Sequence, residues 1–268
     1  MDPLILGLVG FACALLLLVI RVPIAFSLAG VSSVFIFLFF AMRHGGFDIG
    51  SAVAPSLSMI SSSAFDLVHS YDLSMIPLFV LLGHIAYHTG ITTDIYHAAR
   101  VWLKRLPGGV AMASVFGCGG FSAITGSSIA CASAMGKICV PEMLRMGYDK
   151  RLATSTVAVG GTLGSLIPPS VLFIVYGIFT EMSVSRLFMA GVIPGLLSLV
   201  GFLVVIYVWV KRNPEVAPVD DAILEKGERR KAAIRCWPAA LLFTIIIGGI
   251  YGGLFTATEA AAISAFSV

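Results

Sequence analysis

Apolar runs long enough to cross a bilayer alternate with short basic clusters along this chain. A helix of about 20 apolar residues spans the hydrocarbon core. That measure predicts a first span from Leu4 to Ile20, with Arg21 and Pro23 marking a tight turn, and a second from Ile24 to Met42. The stretch from Arg43 to Asp72 is less apolar and rich in Ser and Gly, so a short interfacial or partly inserted helix is expected there. A third span is predicted from Leu73 to Tyr87, with Pro77 near its start.

Arg100, Lys104 and Arg105 form a basic connection, and Arg145, Lys150 and Arg151 form a second cluster. If both clusters face the cytoplasm, the weakly polar stretch Pro107 to Met143 enters and leaves on one side. At about 37 residues it is too long for one span, and two full spans would need about 40 plus a turn. Its middle, Ser122-Ala-Ile-Thr-Gly-Ser-Ser128, is a poor helix interior and a good turn. The pattern predicts a re-entrant helical hairpin over 107–144 with its tip at Thr125 to Ser128. Two ordinary spans joined by a short loop are the alternative. The next apolar stretch, Leu152 to Thr180, is interrupted at Gly160-Gly-Thr-Leu-Gly-Ser-Leu-Ile-Pro-Pro169. Pro168 and Pro169 remove two backbone donors and the glycines weaken the turn before them. A discontinuous helix over 152–180 is the natural reading.

A clean span follows from Leu187 to Val210, stopped by Lys211 and Arg212. The polar loop 211–235 carries a third basic cluster, and Ala222 to Arg235 reads as either a surface helix or a solvated loop. A last clear span runs from Trp237 to Leu254, after which Thr258 is a candidate cap for a new alanine-rich helix. With all three clusters inside, as the positive-inside rule expects, the crossings alternate consistently. The N-terminus lies outside and the hairpin enters from the cytoplasm. The first apolar run reads as a membrane helix rather than a cleaved signal, because it lacks a basic leading region.

Composition agrees with the pattern. Hydrophobic residues make up 58%, charged residues 12%, and the mean hydropathy is +1.00. Soluble domains carry roughly 25% charge, so this chain needs a lipid solvent and helices that satisfy their own backbone groups. The net charge of +3 is small, and no basic stripe with interleaved aromatics suggests nucleic acid. The five cysteines are scattered without a C-x-x-C pair, so they read as small packing residues. His84 and His88 share one helix face but have no third ligand in sequence, which favours packing or interface roles over a metal.

Irregular backbone at membrane depth is tolerated only where it is buried in protein or lines a cavity. Two such places occur here, the Gly126-Ser-Ser128 turn and the Gly161 to Pro169 break. Secondary transporters build midplane sites from such breaks. Free carbonyls at a break suit Na⁺, the hydroxyls of Ser127 and Ser128 add oxygen ligands, and exposed amides at half-helix N-termini attract a carboxylate. The competing explanation is that small residues merely let helices pack closely. A different class, an intramembrane serine hydrolase using Ser127 or Ser128, would need a paired base. The only candidates on the third span are His84 and His88. A non-transporting structural membrane subunit is the third possibility. No phosphate-binding loop points to ATP, and Gly117-Cys-Gly119 follows no strand, so no nucleotide cofactor is expected.

Six stretches carry a family resemblance. They are Ile76-Pro-Leu-Phe79, Phe121-Ser-Ala-Ile-Thr-Gly-Ser-Ser-Ile-Ala130, Gly147-Tyr-Asp-Lys150, Gly161-Thr-Leu-Gly-Ser-Leu-Ile-Pro-Pro-Ser170, Ala190-Gly-Val-Ile-Pro-Gly195 and Gly253-Leu-Phe-Thr-Ala-Thr-Glu-Ala-Ala261. In this order, and over nearly the whole chain, the sequence resembles the large membrane (permease) subunit of tripartite ATP-independent periplasmic (TRAP) transporters. The resemblance implies an all-α integral membrane protein of the bacterial inner membrane, the first half of an inverted-repeat, elevator-type transporter. Scaffold-type helices would occupy 1–106, transport-type elements 107–183 and further membrane helices 184–268. It implies Na⁺-coupled import of a small carboxylate, such as a C4-dicarboxylate, with no cofactor and no enzymatic activity. The implied partners are a small TRAP membrane subunit and a periplasmic substrate-binding protein. It places Ser127, Ser128, Gly164, Ile167 and Pro169 in one Na⁺ site and Thr125, Gly126 and Ser127 at the substrate.

The sequence departs from the family pattern in three places. His84 stands where an acidic or amide residue is expected, and Ala257 where a proline is usual. The chain also stops where a second, inverted half is expected to begin, so transport by this chain alone is not expected.

Overall fold

The computed structural model describes residues 3–42, 47–218 and 227–268. Within these residues every regular element is helical. The chain falls into two compact units, Met1–Ser70 and Tyr71–Val268.

In the first unit, α1 (Pro3–Val19) packs on α2 (Ile24–Met42), and α2 packs on α3 (Ile49–Val68). The turn between α1 and α2 is closed by Arg21 in the left-handed region (φ 69°) and by the amide of Val22 donating to the Leu17 carbonyl at 3.1 Å. Gly10 gives α1 its close approach, because a side chain there would meet the Phe35 ring at 3.1 Å. Helix α3 is longer than its composition predicts. Asp48 caps it by accepting from the Gly50 amide. Its serines are satisfied within the helix, Ser56 donating to Ala52 O at 2.5 Å and Ser62 to Met59 O at 3.2 Å. Hydroxyls bonded back to the preceding turn cost the helix little, so a Ser-rich stretch remains helical. The polar stretch expected from Arg43 begins outside the described residues.

The second unit starts with a 3₁₀ turn at Asp72–Ser74 that leads into α4 (Met75–His88). The short amphipathic helix α5 (Ile91–Leu103) follows, entered through Gly90 at φ 86°. It is too short to register as a membrane-length apolar run, and its Arg100 reads as part of the basic connection, while Ile91, Ile95 and Ala99 at helical spacing bury one face. Then come α6 (Gly109–Thr125) and α7 (Ser128–Arg145), separated by two residues. Helix α8 (Lys150–Gly161) is capped by Asp149, whose carboxylate accepts from Arg151 and Leu152. It tightens into a 3₁₀ turn at Thr162–Ser165, breaks, and resumes as α9 (Val171–Phe179). The long helix α10 (Val184–Arg212) ends on its basic pair, as expected.

Of the region Ala222 to Arg235, only α11 (Glu228–Arg235) is described as helix; Ala222 to Lys226 lie outside the described residues. The last apolar run comprises α12 (Trp237–Phe243), a π-helical turn at Thr244–Gly248 and α13 (Gly249–Tyr251). It bends from α11 by 40°. The final helix, α14 (Ala257–Ser267), corrects one expectation. Its cap is Thr256, not Thr258. Thr256 accepts from the Glu259 amide while the Glu259 carboxylate accepts from the Thr256 amide at 2.8 Å. This reciprocal pair needs the acidic residue three positions after the cap, and only Thr256 has that spacing. Thr258 is instead 5% exposed inside the packed helix.

Among the described residues, two helices, α2 and α10, are long and apolar enough to cross a membrane singly, and α1 and α6 are shorter apolar helices. The core of the second unit forms around α6, which packs on α4, α5, α7, α8 and α10. Such a central position requires small residues. Along α6, Ala111, Ala113, Ser114, Gly117, Cys118 and Gly119 are all buried.

Candidate functional site

The two interruptions meet. Helix α6 ends at Thr125, and Gly126 turns the chain with φ 63°, a left-handed conformation that glycine adopts without cost. Ser127 then caps α7, its Oγ accepting from the Ala130 amide at 3.3 Å. The amide of Val171, the first residue of α9, donates to the Gly126 carbonyl at 3.0 Å. A side chain on Gly126 would run into the Pro169 carbonyl and lie 3.3 Å from the Ser170 Cα. Gly164 approaches from the other side. A Cβ there would stand 2.8 Å from the Ser128 nitrogen and 2.9 Å from the Ser127 oxygen. The hairpin turn is thus held between the 3₁₀ turn before the break and the helix start after it. Bare glycine backbone makes both approaches possible.

Of the residues singled out from sequence, Ser127, Ser128, Gly164, Pro169 and Gly126 lie in this junction. Gly126, Gly164 and Pro169 are buried, and Ser127 and Ser128 half-buried. Thr125 is 2% exposed and donates from Oγ1 to the Phe121 carbonyl at 3.2 Å. Ile167 points elsewhere. Its side chain lies against Gly195 of α10, where a Cβ would be 2.9 Å from its Cγ1, and near Gly119 of α6. The Pro168–Pro169 peptide is cis. Ser170 Oγ donates to the Ser165 carbonyl at 2.9 Å, which closes the break on itself.

The junction presents oxygen atoms and backbone amides and no formal charge. Helices α7 and α9 both begin here, so their N-terminal dipole ends favour negative charge. A cavity of about 900 Å³ lies between α5, α6, α10 and α12 and reaches the break, where Ile167 and Pro168 line it. Trp102, Phe116, Leu196, Leu199 and Phe243 line it, so it is apolar. At the far end of α7, Glu142 pairs with Arg100 of α5. His84 and His88 meet edge to face with ring centroids 4.6 Å apart, both on the exposed side of α4.

An apolar helical chain with two broken segments meeting at one junction is an arrangement from which membrane transport proteins build midplane sites. Residues 11–268 match the family described as the tripartite ATP-independent periplasmic transporter, DctM component, and the chain belongs to that family. It is similar to the C4-dicarboxylate TRAP transporter large permease protein DctM of Vibrio cholerae, with 36% identity over 250 residues, covering 93% of this chain and 52% of the relative. The protein of that name from Pseudomonas aeruginosa is 39% identical over 212 residues, covering 78% of this chain and 48% of the relative. The sialic acid TRAP transporter large permease protein SiaM of Vibrio cholerae is 32% identical over 251 residues, covering 92% and 54%. The chain therefore spans about half the length of these relatives. Family membership makes it a large-permease chain of membrane transport and not an enzyme, which removes the hydrolase reading.

Proposed function

We propose that the junction of the α6–α7 turn with the α8–α9 break is a Na⁺ site, and that the chain serves a Na⁺-coupled secondary transporter. Ser127 and Ser128, with backbone oxygens around Gly164, Ile167 and Pro169, would hold the ion. An oxygen-only ligand set suits a hard cation. Thr125, Gly126 and Ser127 would face the substrate, a small carboxylate drawn to the amides that begin α7 and α9. Relatives are named for C4-dicarboxylates, sialic acid and isethionate, which are all acids.

In this reading α6–α7 is a re-entrant hairpin and α8–α9 one discontinuous helix. Residues 107–183 form the moving transport-type region, 1–106 the scaffold-type helices and 184–268 further membrane helices. The proposed setting is the bacterial inner membrane, with basic clusters on the cytoplasmic side. A periplasmic binding protein delivers substrate, a small TRAP membrane subunit completes the membrane part, and an inverted second half supplies the rest of the pocket.

The observation that carries the reading is the approach of Gly164 to the Ser127–Ser128 peptide, which places the two broken segments at one point. At concentration c, a bound ion stabilises the folded protein by RT ln(1 + c/Kd), so the gain grows with the logarithm of its concentration once the site is filled. Na⁺ is therefore expected to raise the thermal stability of the purified chain where K⁺ does not, and Ser127→Ala is expected to lose that response. Equal stability of wild type in Na⁺ and K⁺ overturns the proposal.

A further inference from the structure

The tip of the hairpin rests on a second bare backbone, on a helix assigned no part in binding. Gly83 lies in the middle of α4 and is buried. A Cβ on it would stand 2.5 Å from Thr125 Cγ2, 2.8 Å from Thr125 Cβ and 3.3 Å from Thr125 Cα. Real side chains do not approach so closely, so one partner must move. Helix α4 is backed by α14, and Met75, Phe79, Leu82 and Ala86 of α4 share one core with Ala257, Ala260 and Ala261. Ile124, the neighbour of Thr125, is buried in that same core. Rotating Thr125 leaves its Cβ where it is, and its Oγ1 is held by the Phe121 carbonyl. The backbone at the tip must therefore give. One residue further on, the turn has no slack either, because Gly126 meets Pro169 and the Ser127–Ser128 peptide meets Gly164. Close-packed interiors transmit such displacements rather than absorb them.

We infer that Gly83 is a positioning residue for the hairpin tip: the missing side chain on α4 sets where Thr125 stands, and through it where Ser127 and Ser128 stand. The inference rests on the Na⁺-site reading above. It assigns to α4 a role in ion affinity that no contact with the ion would reveal.

The test is a Na⁺ titration of thermal stability on the purified chain, comparing wild type, Gly83→Ala, the double variant Gly83→Ala with Thr125→Ser, and Gly30→Ala. Gly30 is a helix glycine with open space around it. Gly83→Ala is expected to raise the apparent Na⁺ dissociation constant, fitted from the rise of Tm with Na⁺ concentration, by about tenfold or more. The double variant, which removes the nearest clashing carbon and keeps the hydroxyl, recovers part of that loss, and Gly30→Ala matches wild type. A wild-type apparent dissociation constant in Gly83→Ala overturns the inference and leaves the ion site standing, as does a double variant no better than the single one. A wild type without any Na⁺ response overturns the ion site, and the inference with it. If Gly83→Ala does not fold, the double variant decides. A folded, Na⁺-responsive double variant upholds the contact, and one that also fails to fold overturns it.

Discussion

Helices α1 and α6 have the same length, 17 residues, and both are apolar. Their surroundings differ. In α1 three residues are buried, Leu6, Gly10 and Ala14. In α6 nearly every residue is buried. The difference follows from side-chain size. Helix α1 carries large aliphatics such as Leu4, Leu8 and Leu16, which suit lipid and stay exposed. Helix α6 carries Gly, Ala and Ser, which let neighbouring helices approach its backbone. A shared apolar character thus conceals two different surroundings: the side chains of α1 are mostly exposed, as suits a lipid solvent, and those of α6 are enclosed by protein. The junction proposed to bind Na⁺ lies at the end of the helix that is enclosed by protein.

This contrast sets a series of substitutions, from the largest effect to the smallest. Gly126→Ala forces a side chain into a left-handed turn and into the Pro169 carbonyl. It is expected to cost about 2–4 kcal/mol and to abolish the Na⁺ response, as read by thermal unfolding in detergent with and without Na⁺. Ser127→Ala removes the α7 cap and is expected to cost about 1 kcal/mol. That loss is present with or without Na⁺, so the ion-specific part is the additional difference between the two titrations. Glu142→Gln breaks the pair with Arg100 that ties α7 to α5. Both side chains are partly exposed, at 24% for Arg100 and 32% for Glu142, so the cost is expected to stay below about 1 kcal/mol, and it shrinks as salt is added. Gly7→Ala in α1 meets nothing within 4 Å. It is expected to leave stability unchanged or raise it by up to about 1 kcal/mol through helix propensity. A Gly7→Ala loss as large as that of Gly126→Ala would erase the distinction between the two helices.

What depends on local chemistry is legible in the sequence. The spans at Ile24–Met42 and Val184–Arg212 stand out because apolar runs end on turns or on basic pairs. The turn at Gly126 and the break before Val171 are visible because a Gly-Ser-Ser cluster favours a turn and paired prolines interrupt a helix. Helix α5 escapes a search for membrane-length apolar runs, because it is short and carries charged residues; the i, i+4, i+8 spacing of its buried Ile91, Ile95 and Ala99 is the signal that could have found it. The length of α3 is hidden in the same way by serines whose hydroxyls bond within the helix. The cap at Thr256 is legible in principle, since Glu259 stands three residues on. Gly83 is not, because its significance lies in a contact with Thr125, distant in sequence, that only folding creates. Nor does local pattern say that the two interruptions meet, because that too is a tertiary contact.

The central claim is that this meeting point binds the coupling ion. Its most direct test is equilibrium binding of radiolabelled Na⁺ to the purified chain in lipid nanodiscs, beside the Gly164→Ala variant. Gly164 offers no side chain to the ion, but a Cβ there would press on the Ser127–Ser128 peptide. The account predicts saturable Na⁺ binding to wild type that K⁺ does not displace, and loss of that binding in a folded Gly164→Ala variant. Undiminished Na⁺ binding in that variant, or none in wild type, would contradict it.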